Sequence, residues 1–319
     1  MDELDLQVTD HLDPDAGAGV RRLLADVRRV DGHDGLSESK QVRLRYALGG
    51  VPTGPAAGGA PGGFLAALAF GADPATPVGV GVAHGVGHDG SMAVELVTAP
   101  DRRDEGATVA GAILVALLEV LDRRSAAPVR LWAHRASTAD DRLASAHGFL
   151  PERELVQMRR TLPVEGTRPP LSVRPFVPGS DERAWLHVNN RAFAGHPEQG
   201  GWDLGTIRAR EAEPWFDPAG FLLHEEDGRL AASCWTKIHR SATPPLGEIY
   251  VIAVDPDFHG RGLGRAMTLA GLDWLTGAGL GTGMLYVDGA NATALSLYRS
   301  LGFTVDHVDR SYLRPAQPE

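Results

Sequence analysis

The chain has 319 residues, of which 43% are hydrophobic and 23% charged, so it is long enough for two domains of the usual ~150 residues and has the composition of a globular protein. Its 41 acidic and 31 basic residues leave a formal charge of −10, which repels nucleic-acid phosphates, and no apolar run approaches the ~18 residues that span a bilayer. The single cysteine, Cys234, excludes an intramolecular disulfide framework, and the acidic N-terminus lacks a secretory signal. We therefore expect a cytoplasmic protein with no bound metal and no nucleic-acid or membrane partner.

The first half of the chain predicts a mostly antiparallel sheet and one long helix. Apolar alternation indicates strands near residues 42–48, 64–70, 78–83 and 92–97, and helical periodicity indicates a helix over residues 107–123. Residues 49–63 contain seven glycines and three prolines and predict a mobile loop. Three prolines within residues 162–170 would interrupt a helix or a central strand, so we place a linker at residues 163–170.

The second half predicts an α+β arrangement. In chain order we expect a helix over residues 181–194, strands over 220–225, 230–239 and 248–254, a helix over 264–276, a strand over 283–287, a helix over 292–301 and a strand over 304–313. The segment MAVELVTAP, ending at Pro100, matches EIYVIAVDP, ending at Pro256, in length, apolar pattern and final proline. Gly-Phe pairs ending at Phe149 and Phe303 follow at nearly equal distances. The chain thus predicts two copies of one fold, in residues 1–162 and 171–319.

A glycine-rich turn follows the third strand of the second half and leads into a helix. Gly260, Gly262 and Gly264 can adopt positive φ and approach a ligand closely, and the unpaired N–H groups at a helix N-terminus favour an anion. Arg261 and Arg265 add positive charge. The turn lacks both the Gly-Lys-Ser/Thr of a Walker loop and the glycine spacing of dinucleotide-binding folds. It therefore predicts another kind of phosphate-binding loop.

The residues from His259 to Gly264 resemble the Gln/Arg-x-x-Gly-x-Gly/Ala loop of the GNAT superfamily of acyl-CoA-dependent N-acyltransferases, with His in the first position. The motif NATALSLYRSLGF, ending at Phe303, resembles the second signature of this superfamily. The resemblance implies two tandem GNAT folds, each a mostly antiparallel mixed sheet flanked by helices, with acetyl-CoA as co-substrate. It implies that acetyl-CoA is bound by Ile252, Ala253, Val254, His259, Gly260, Arg261, Gly262, Leu263, Gly264, Arg265, Asn291, Ala292, Thr293, Ala294, Leu295 and Ser296.

Two side chains could supply acid–base chemistry. A carboxylate that leads an otherwise apolar strand is unusual, and Glu248 is in that position. Alternation places four residues of this strand on one face: Glu248, Tyr250, Ile252 and Val254. The GNAT resemblance implies that Glu248 accepts the proton of the substrate amine, that amides at a bulge near residues 252–254 hold the thioester, and that Tyr298 donates a proton to the leaving thiolate. From the residues alone, Glu248 could instead be an exposed strand start, Tyr298 a packing side chain, and Asn291 a helix cap.

The first half lacks these groups. Aligned on the two prolines, Met92 stands at the position of Glu248, and aligned on the Gly-Phe pairs, Ala144 stands at the position of Tyr298. We therefore predict a degenerate, catalytically inactive GNAT domain in residues 1–162 and the active domain in residues 171–319.

A more specific resemblance covers nearly all of the second half. The segments VNNRAFAGHPEQGGW (residues 188–202), EPWFDPAG (213–220) and WTKIH (235–239) are similar to the mycothiol synthase family of tandem GNAT enzymes. This resemblance implies acetyl transfer to the cysteinyl amine of the cysteinyl-glucosaminyl-inositol precursor of mycothiol, by direct attack in a ternary complex, and we expect a monomer. It implies substrate binding by Glu38, Glu198, Lys237, Glu248 and Tyr286.

Members of this family can hold a second acetyl-CoA in the first domain. The corresponding residues here are Leu96, Val97, Thr98, Arg103, Asp104, Glu105, Gly106, Ala107, Thr108 and Val109. Asp104 and Glu105 would place two carboxylates beside a pyrophosphate, and Thr108 replaces the last glycine of the loop, so this loop departs from the family pattern.

Two other functions are compatible with the sequence. One is a GNAT acetyltransferase for another amine, such as a protein N-terminus or an aminoglycoside. The other is a non-catalytic acyl-CoA-binding module, against which the presence of both Glu248 and Tyr298 argues. Taken singly, Glu198 could be a solvated loop acid and Lys237 a charge at a strand edge.

Overall fold

The computed structural model describes residues 4–37, 40–41, 43–44, 47, 63–85, 91–102, 106–166, 171–196, 199–240 and 242–316. Contacts divide the chain into two compact units: unit 1 comprises Met1–Leu155 and His307–Glu319, and unit 2 comprises Val156–Asp306. Unit 1 is discontinuous in sequence, because the C-terminal segment belongs to it, whereas unit 2 is continuous. The assignment of GNAT domains to residues 1–162 and 171–319, with a linker at 163–170, stays a prediction.

Unit 1 is built on a mixed sheet. Its strands are β1 (Asp5–Thr9), β2 (Phe64–Phe70), β3 (Pro77–Gly85), β4 (Met92–Thr98), β5 (Val129–Ala133) and parts of β6 (Leu150–Thr161) and β12 (Thr304–Arg314), in the order β1-β2-β3-β4-β5-β12-β6. The β4–β5 pair is parallel, whereas β1–β2, β2–β3, β3–β4 and β12–β5 are antiparallel. The helices are α1 (Pro14–Asp31), α2 (Gly106–Arg124) and α3 (Thr138–Ala146).

Strand β2 explains why this sheet is covered on both faces. Every residue of its sequence FLAALAF is buried. Leu65 and Ala67 belong to the apolar cluster that contains α2, and Ala66 and Leu68 belong to the cluster that contains α1. A strand buried on both faces needs no polar alternation, which accounts for its continuous apolar sequence.

The strand predicted near residues 42–48 is wrong. The described residues there, Arg43, Leu44 and Ala47, are helical. Lys40, Leu44 and Ala47 are all buried and are spaced i, i+4, i+7, a helical period that overrides the local apolar alternation. Residues 48–62, which include most of the predicted mobile loop, lie outside the described part of the chain.

Unit 2 repeats the mixed arrangement. Its own strands are β7 (Arg174–Pro175), β8 (Phe221–Glu226), β9 (Arg229–His239), β10 (Leu246–Val254) and β11 (Thr282–Asp288), in the order β6-β11-β10-β9-β8-β7. The β10–β11 pair is parallel, and β7–β8, β8–β9 and β9–β10 are antiparallel. The helices are α4 (Glu182–Ala192), α5 (Leu204–Glu211), α6 (Leu263–Gly277) and α7 (Ala292–Ser300). The elements predicted from residue 181 onward are confirmed, with small shifts of their ends.

Helix α5 was absent from the sequence prediction, which has only an acidic loop before β8. A local signal for the helix exists: the Asp203 carboxylate accepts a hydrogen bond from Thr206 N (2.7 Å), as an N-cap does. The helix has no pronounced apolar face, and Ile207 is its one buried residue. Its apolar pattern therefore gives no periodic signal.

None of the described helices is long and apolar enough to cross a membrane.

The two faces of the unit 2 sheet are packed differently. On one face, aromatic rings form the core: Trp235 stacks on Phe221 with centroids 4.3 Å apart, and Trp185 meets Trp235 edge-on. On the other face, α6 approaches the sheet at Gly271 and covers Cys234, which is fully buried. Burial raises the pKa of the Cys234 thiol to about 12, so the group remains a thiol at neutral pH.

Replacement of Gly271 by alanine should destabilise the chain, because α6 has no room for a side chain there. A Cβ at this position would lie 2.5 Å from Cys234 Sγ and 2.7 Å from Ile249 Cδ1. We expect Gly271→Ala to lower the free energy of unfolding by about 1–3 kcal/mol in chemical denaturation, the usual cost of overpacking. Gly277→Ala is the matched control, because a Cβ there meets no described atom within 4 Å. Equal losses for the two variants would contradict the close approach.

Candidate active site

The parallel pair β10–β11 is short. Its residue pairs run from Gly247 with Gly283 to Ile249 with Leu285, whereas β10 itself continues to Val254. The later part of β10 pairs with β9 on its other side. In the described register, the side of β10 that faces β11 is therefore open to a ligand where the strand approaches the glycine-rich loop.

A β-bulge lies at Tyr250. The pairs between β10 and β9 pass from Ile249 with Thr236 directly to Val251 with Trp235, which leaves Tyr250 as an extra residue. One extra residue reverses the alternation of side chains for the rest of a strand. Even-numbered residues before and after the bulge therefore lie on different faces of the sheet.

The bulge corrects two sequence predictions. The bulge lies at Tyr250, just before the segment 252–254 near which we expected it. The ring of Tyr250 packs against Trp235, on the face of Glu248, whereas Val254 approaches the first turn of α6 on the opposite face. Ile252 pairs with a β9 residue that also faces α6. The predicted common face of these four β10 residues is therefore wrong.

Glu248 is a buried carboxylate, 7% exposed, and not an exposed strand start. It lies opposite Lys237 in the β9–β10 register, and its Oε2 is 2.7 Å from Nε2 of His239. The Lys237 ammonium lies 4.4 Å from the centroid of the Trp215 ring and 5.4 Å from that of Tyr250, within cation–π range. A carboxylate, an imidazole and an ammonium thus share one face of the sheet.

His239 was missed by the sequence prediction. The signal was present in the segment WTKIH, since residues 237 and 239 alternate onto one face of a strand. What the segment alone could not show is the register, which places His239 opposite Leu246 and diagonal to Glu248.

The glycine-rich loop has the geometry of an anion site. Gly260 and Gly262 have φ of 78° and 77°, and a Cβ on either would meet no described atom within 4 Å. Gly262 is the N-cap of α6 and supplies no side chain to its first N–H groups, so these groups can bind an anion. Arg261 and Arg265 are both exposed beside this terminus. The loop therefore fits a pyrophosphate, as the sequence predicts.

Neighbouring side chains hold the loop in place. Arg261 Nη1 donates to Glu226 Oε2 (2.9 Å), and its guanidinium lies 4.9 Å from the Phe258 ring centroid. Arg265 Nη1 donates to Ser300 Oγ (2.9 Å). His259 Nε2 lies 3.1 Å from the carbonyl oxygen of Val254, so this histidine connects the loop to the end of β10.

Helix α7 carries the predicted acid. Asn291 caps the helix by accepting from Ala294 N (3.0 Å), which is the alternative role considered for it. Tyr298 is buried against Phe303, with ring centroids 5.8 Å apart. Burial, with a smaller effect of Cys234, raises the pKa of Tyr298 to about 12, so its hydroxyl keeps its proton at neutral pH.

The remaining predicted substrate residues are only partly described. Tyr286 is 37% exposed on β11, and its hydroxyl accepts from Gln157 Nε2 (2.7 Å). Gln157 in turn accepts from Arg159 Nε (2.7 Å), so the tyrosine is held by a polar chain. Glu38 and Glu198 lie outside the described residues. The described residues contain no group of His, Cys, Asp and Glu side chains that could hold a metal ion.

Unit 1 contains a cavity at the equivalent place. The parallel β4–β5 pairs end at Glu95 with Trp132, and a cavity of 560 Å³ is lined beyond them by Leu96, Val97 and Thr98. These are three of the residues predicted for a second acetyl-CoA. Arg103, Asp104 and Glu105 lie outside the described part of the chain.

The two halves share a helix-end geometry but not the acid. The carbonyl of Ala144 accepts from His147 N and Phe149 N, and that of Tyr298 accepts from Leu301 N and Phe303 N. Ala144 is fully buried. The matching hydrogen bonds support the sequence alignment, in which unit 1 has no hydroxyl at this position.

Unit 1 instead contains a buried charged cluster that the sequence prediction missed. Glu95, 3% exposed, accepts from Ser37 N (2.7 Å) and Ser37 Oγ (2.6 Å), and lies 3.6 Å from Lys40 Nζ. His134 joins Glu95 (3.2 Å) to Asp309 (3.1 Å) through its two ring nitrogens. The members come from residues 37 to 309, a separation that no local pattern reveals.

The charges of this cluster stabilise one another. Burial alone would raise the pKa of Glu95, but Lys40 and His134 outweigh it and lower that pKa to about 2. Burial alone would lower the pKa of His134, but Asp309 and Glu95 raise it to about 10. At neutral pH Glu95 and His134 are therefore charged and paired with each other.

Comparison with known proteins decides the family. The acetyltransferase (GNAT) family model matches residues 184–303. The mycothiol acetyltransferase of Acidimicrobium ferrooxidans is 42% identical over 297 residues, covering 91% of each chain, and that of Geodermatophilus obscurus is 42% identical over 318 residues, covering 96% of each. The chain belongs to the mycothiol acetyltransferase family.

The fold comparison agrees with this family. A tandem GNAT protein from the clavulanic acid biosynthesis pathway has a TM-score of 0.69 at 14% identity, covering 99% of this chain and 100% of that chain. At this identity the likeness shows the fold alone. The predicted α+β, tandem GNAT fold and the class of acetyl-CoA-dependent N-acetyltransferase are confirmed.

Titration of His134 should make the chain less stable as the pH rises. Its pKa is about 10 in the folded chain against 6.5 for an ordinary histidine, so its contribution is complete below pH 6.5 and is lost as the pH approaches 10. We expect this group to lower the free energy of unfolding with a slope approaching ~1.4 kcal/mol per pH unit across that window. Denaturation at several pH values should show a flatter profile for His134→Gln, and no change of slope for His187→Gln, which replaces an exposed histidine. Identical profiles for wild type and His134→Gln would contradict the assignment.

Proposed function

We propose that this chain transfers the acetyl group of acetyl-CoA to the cysteinyl amine of cysteinyl-glucosaminyl-inositol and so forms mycothiol. Its membership in the mycothiol acetyltransferase family supports this reaction. The observation that carries the proposal to the chain's own residues is the buried Glu248 carboxylate, on the strand that runs into the anion-binding loop. A base and a cofactor-phosphate site are thus connected by a single strand.

The glycine-rich loop would hold the pyrophosphate of acetyl-CoA. The first N–H groups of α6 would donate to phosphate oxygens, and Arg261 and Arg265 would add charge-assisted hydrogen bonds. The N–H groups of β10 after the bulge, on the side open to β11, would donate to the thioester oxygen. When bound, acetyl-CoA supplies an acetyl group on a thioester that an amine can attack.

Glu248 would act as the base. An α-amine has an ordinary pKa of ~7.7–8.0, so a large share is protonated at neutral pH and must lose a proton before it can attack. The carboxylate of Glu248 would accept that proton. Its burial limits competition from water, and a positioned base contributes about 10²- to 10⁴-fold to the rate.

Tyr298 would stabilise the leaving thiolate by hydrogen bonding. Its pKa of about 12 lies well above the ~8.5 of an ordinary thiol, so a thiolate does not remove the phenolic proton completely. A buried hydroxyl that keeps its proton is nevertheless a strong hydrogen-bond donor to a developing negative charge. We therefore assign Tyr298 as a hydrogen-bond donor to the sulfur. The proton that converts the thiolate to the free thiol would come from solvent or from the amine proton that the reaction releases.

Direct transfer in a ternary complex is the mechanism that fits these residues. A covalent acyl-enzyme would need a reactive nucleophile, and the single cysteine, Cys234, is fully buried under α6 with a pKa raised to about 12 by burial. It cannot supply a thiolate at neutral pH. The amine would therefore attack the thioester itself.

Unit 1 would be catalytically inactive and could still bind a second acetyl-CoA. Met92 and Ala144 supply neither a base nor an acid at the aligned positions. The 560 Å³ cavity lined by Leu96, Val97 and Thr98 supports binding, whereas the carboxylates of Asp104 and Glu105 in the sequence oppose it. Calorimetry that counts acetyl-CoA molecules bound per chain tests this point.

The amine acceptor can be tested with purified protein. CoA release should be fast with cysteinyl-glucosaminyl-inositol and slow with an aminoglycoside or a peptide with a free N-terminus. We propose Lys237 and Tyr286, with Glu38 and Glu198, as the substrate contacts that impose this preference. Faster turnover with either alternative amine would replace the proposed acceptor while keeping the acetyl transfer.

Glu248→Gln should lower kcat by about 10²- to 10⁴-fold, because the amide cannot accept the amine proton. The affinity for acetyl-CoA should be unchanged in calorimetry, because the carboxylate acts on the other substrate. Glu225→Gln is the control, since it removes an exposed carboxylate that pairs with Arg174. Wild-type turnover by Glu248→Gln at all pH values would exclude Glu248 as the base.

Tyr298→Phe should lower kcat by about 10- to 100-fold, less than the loss of the base, because water can also hydrogen-bond to the thiolate. Tyr312→Phe is the matched control: it removes the hydroxyl of another buried tyrosine, one that donates to Asp141 Oδ1 (2.8 Å) in unit 1. We expect Tyr312→Phe to change the melting temperature and leave kcat unaffected. Equal kcat values for the two variants would contradict the role of Tyr298.

A further inference from the structure

The Glu248 carboxylate has two oxygens, and one of them is engaged. Its Oε2 lies 2.7 Å from Nε2 of His239, a distance that requires a proton between the two atoms. The contact joins the last residue of β9 to the third residue of β10. A hydrogen bond to Oε2 restricts rotation of the carboxylate and leaves Oε1 as the oxygen that this contact does not engage.

We propose that His239 is a positioning residue for the proposed acetyl transfer: its Nε2–H donates to Oε2 of Glu248 and so presents Oε1 as the proton acceptor for the substrate amine. This inference rests on the proposed function and adds a residue to it. In the step itself, an N–H bond of the ammonium breaks and an O–H bond to Oε1 forms, while the Nε2–H bond of His239 stays intact. The proton leaves Oε1 for solvent after the product departs.

Exposure and chemistry distinguish His239 from Lys237, the ammonium on this face. The His239 side chain is 30% exposed and that of Glu248 9%, so the imidazole is the more accessible member of this pair. Lys237, opposite Glu248 in register, is positioned over the Trp215 and Tyr250 rings. A flexible ammonium is a point charge, whereas a planar imidazole with one N–H aimed at one oxygen sets an orientation.

The test compares two replacements of His239 in the full chain. His239→Gln retains an N–H donor of similar reach, and His239→Leu retains volume without a donor. We expect His239→Leu to lower kcat by about 10- to 100-fold, the cost of a misplaced catalytic group, and His239→Gln to recover most of that loss. The KM for acetyl-CoA should be unchanged in both, since the anion loop is not affected. His187→Leu, which replaces an exposed imidazole on α4, is the control.

Three results would overturn the proposal. They are wild-type kcat for His239→Leu, equal losses for His239→Leu and His239→Gln, and a loss that follows the melting temperature of the variants. Wild-type kcat would mean that the His239 contact does not affect catalysis. Equal losses would mean that an N–H donor at this position does not restore the rate, and a loss that follows the melting temperature would mean that His239 acts only on folding. Failure of the proposed function is separate, because it appears as absence of acetyl transfer to the precursor by the wild-type chain.

Discussion

The single extra residue at Tyr250 places Glu248 and the end of β10 on opposite faces of the sheet. Without it, strict alternation would place Glu248 and the end of the strand on one face, as the sequence alone predicts. With it, Glu248 and Tyr250 lie on the face of the aromatic core, where Glu248 contacts His239, whereas Val254 lies on the face of α6. The proposed base and the proposed cofactor site are thus adjacent along the chain, although Glu248 and Val254 lie on different faces of one strand.

Two buried glutamates illustrate how surroundings decide the role of a carboxylate. Glu95 in unit 1 is enclosed by Ser37, Lys40 and His134, and its pKa of about 2 means that it cannot accept a proton at neutral pH. Glu248 in unit 2 is in contact with the partly exposed His239 through one oxygen. The first carboxylate is therefore held in an internal ion-pair cluster, whereas the second is the one we propose as the base.

The two units share a framework and differ in what they place on it. Each has a parallel pair of strands whose ladder ends early, and each has a helix that ends in the same hydrogen-bond pattern before a Gly-Phe pair. Beyond the ladder, unit 2 has a loop with two positive-φ glycines, and unit 1 has a cavity lined by both apolar and polar residues. The framework follows from backbone pairing, which tolerates many side chains, whereas catalysis requires particular groups.

The sequence by itself determined the elements of unit 2 from residue 181 onward except α5, together with the anion loop and the candidate pair Glu248 and Tyr298, because each depends on local periodicity, glycine spacing or a short motif. Only the tertiary structure decided the register of β10 on β9, and with it the bulge and the His239 contact, since a one-residue slip is invisible in an apolar strand. It also decided that Arg43, Leu44 and Ala47 are helical and that Glu95 meets Asp309 through His134. These features arise from burial and charge pairing between residues far apart along the chain, where local patterns carry no information.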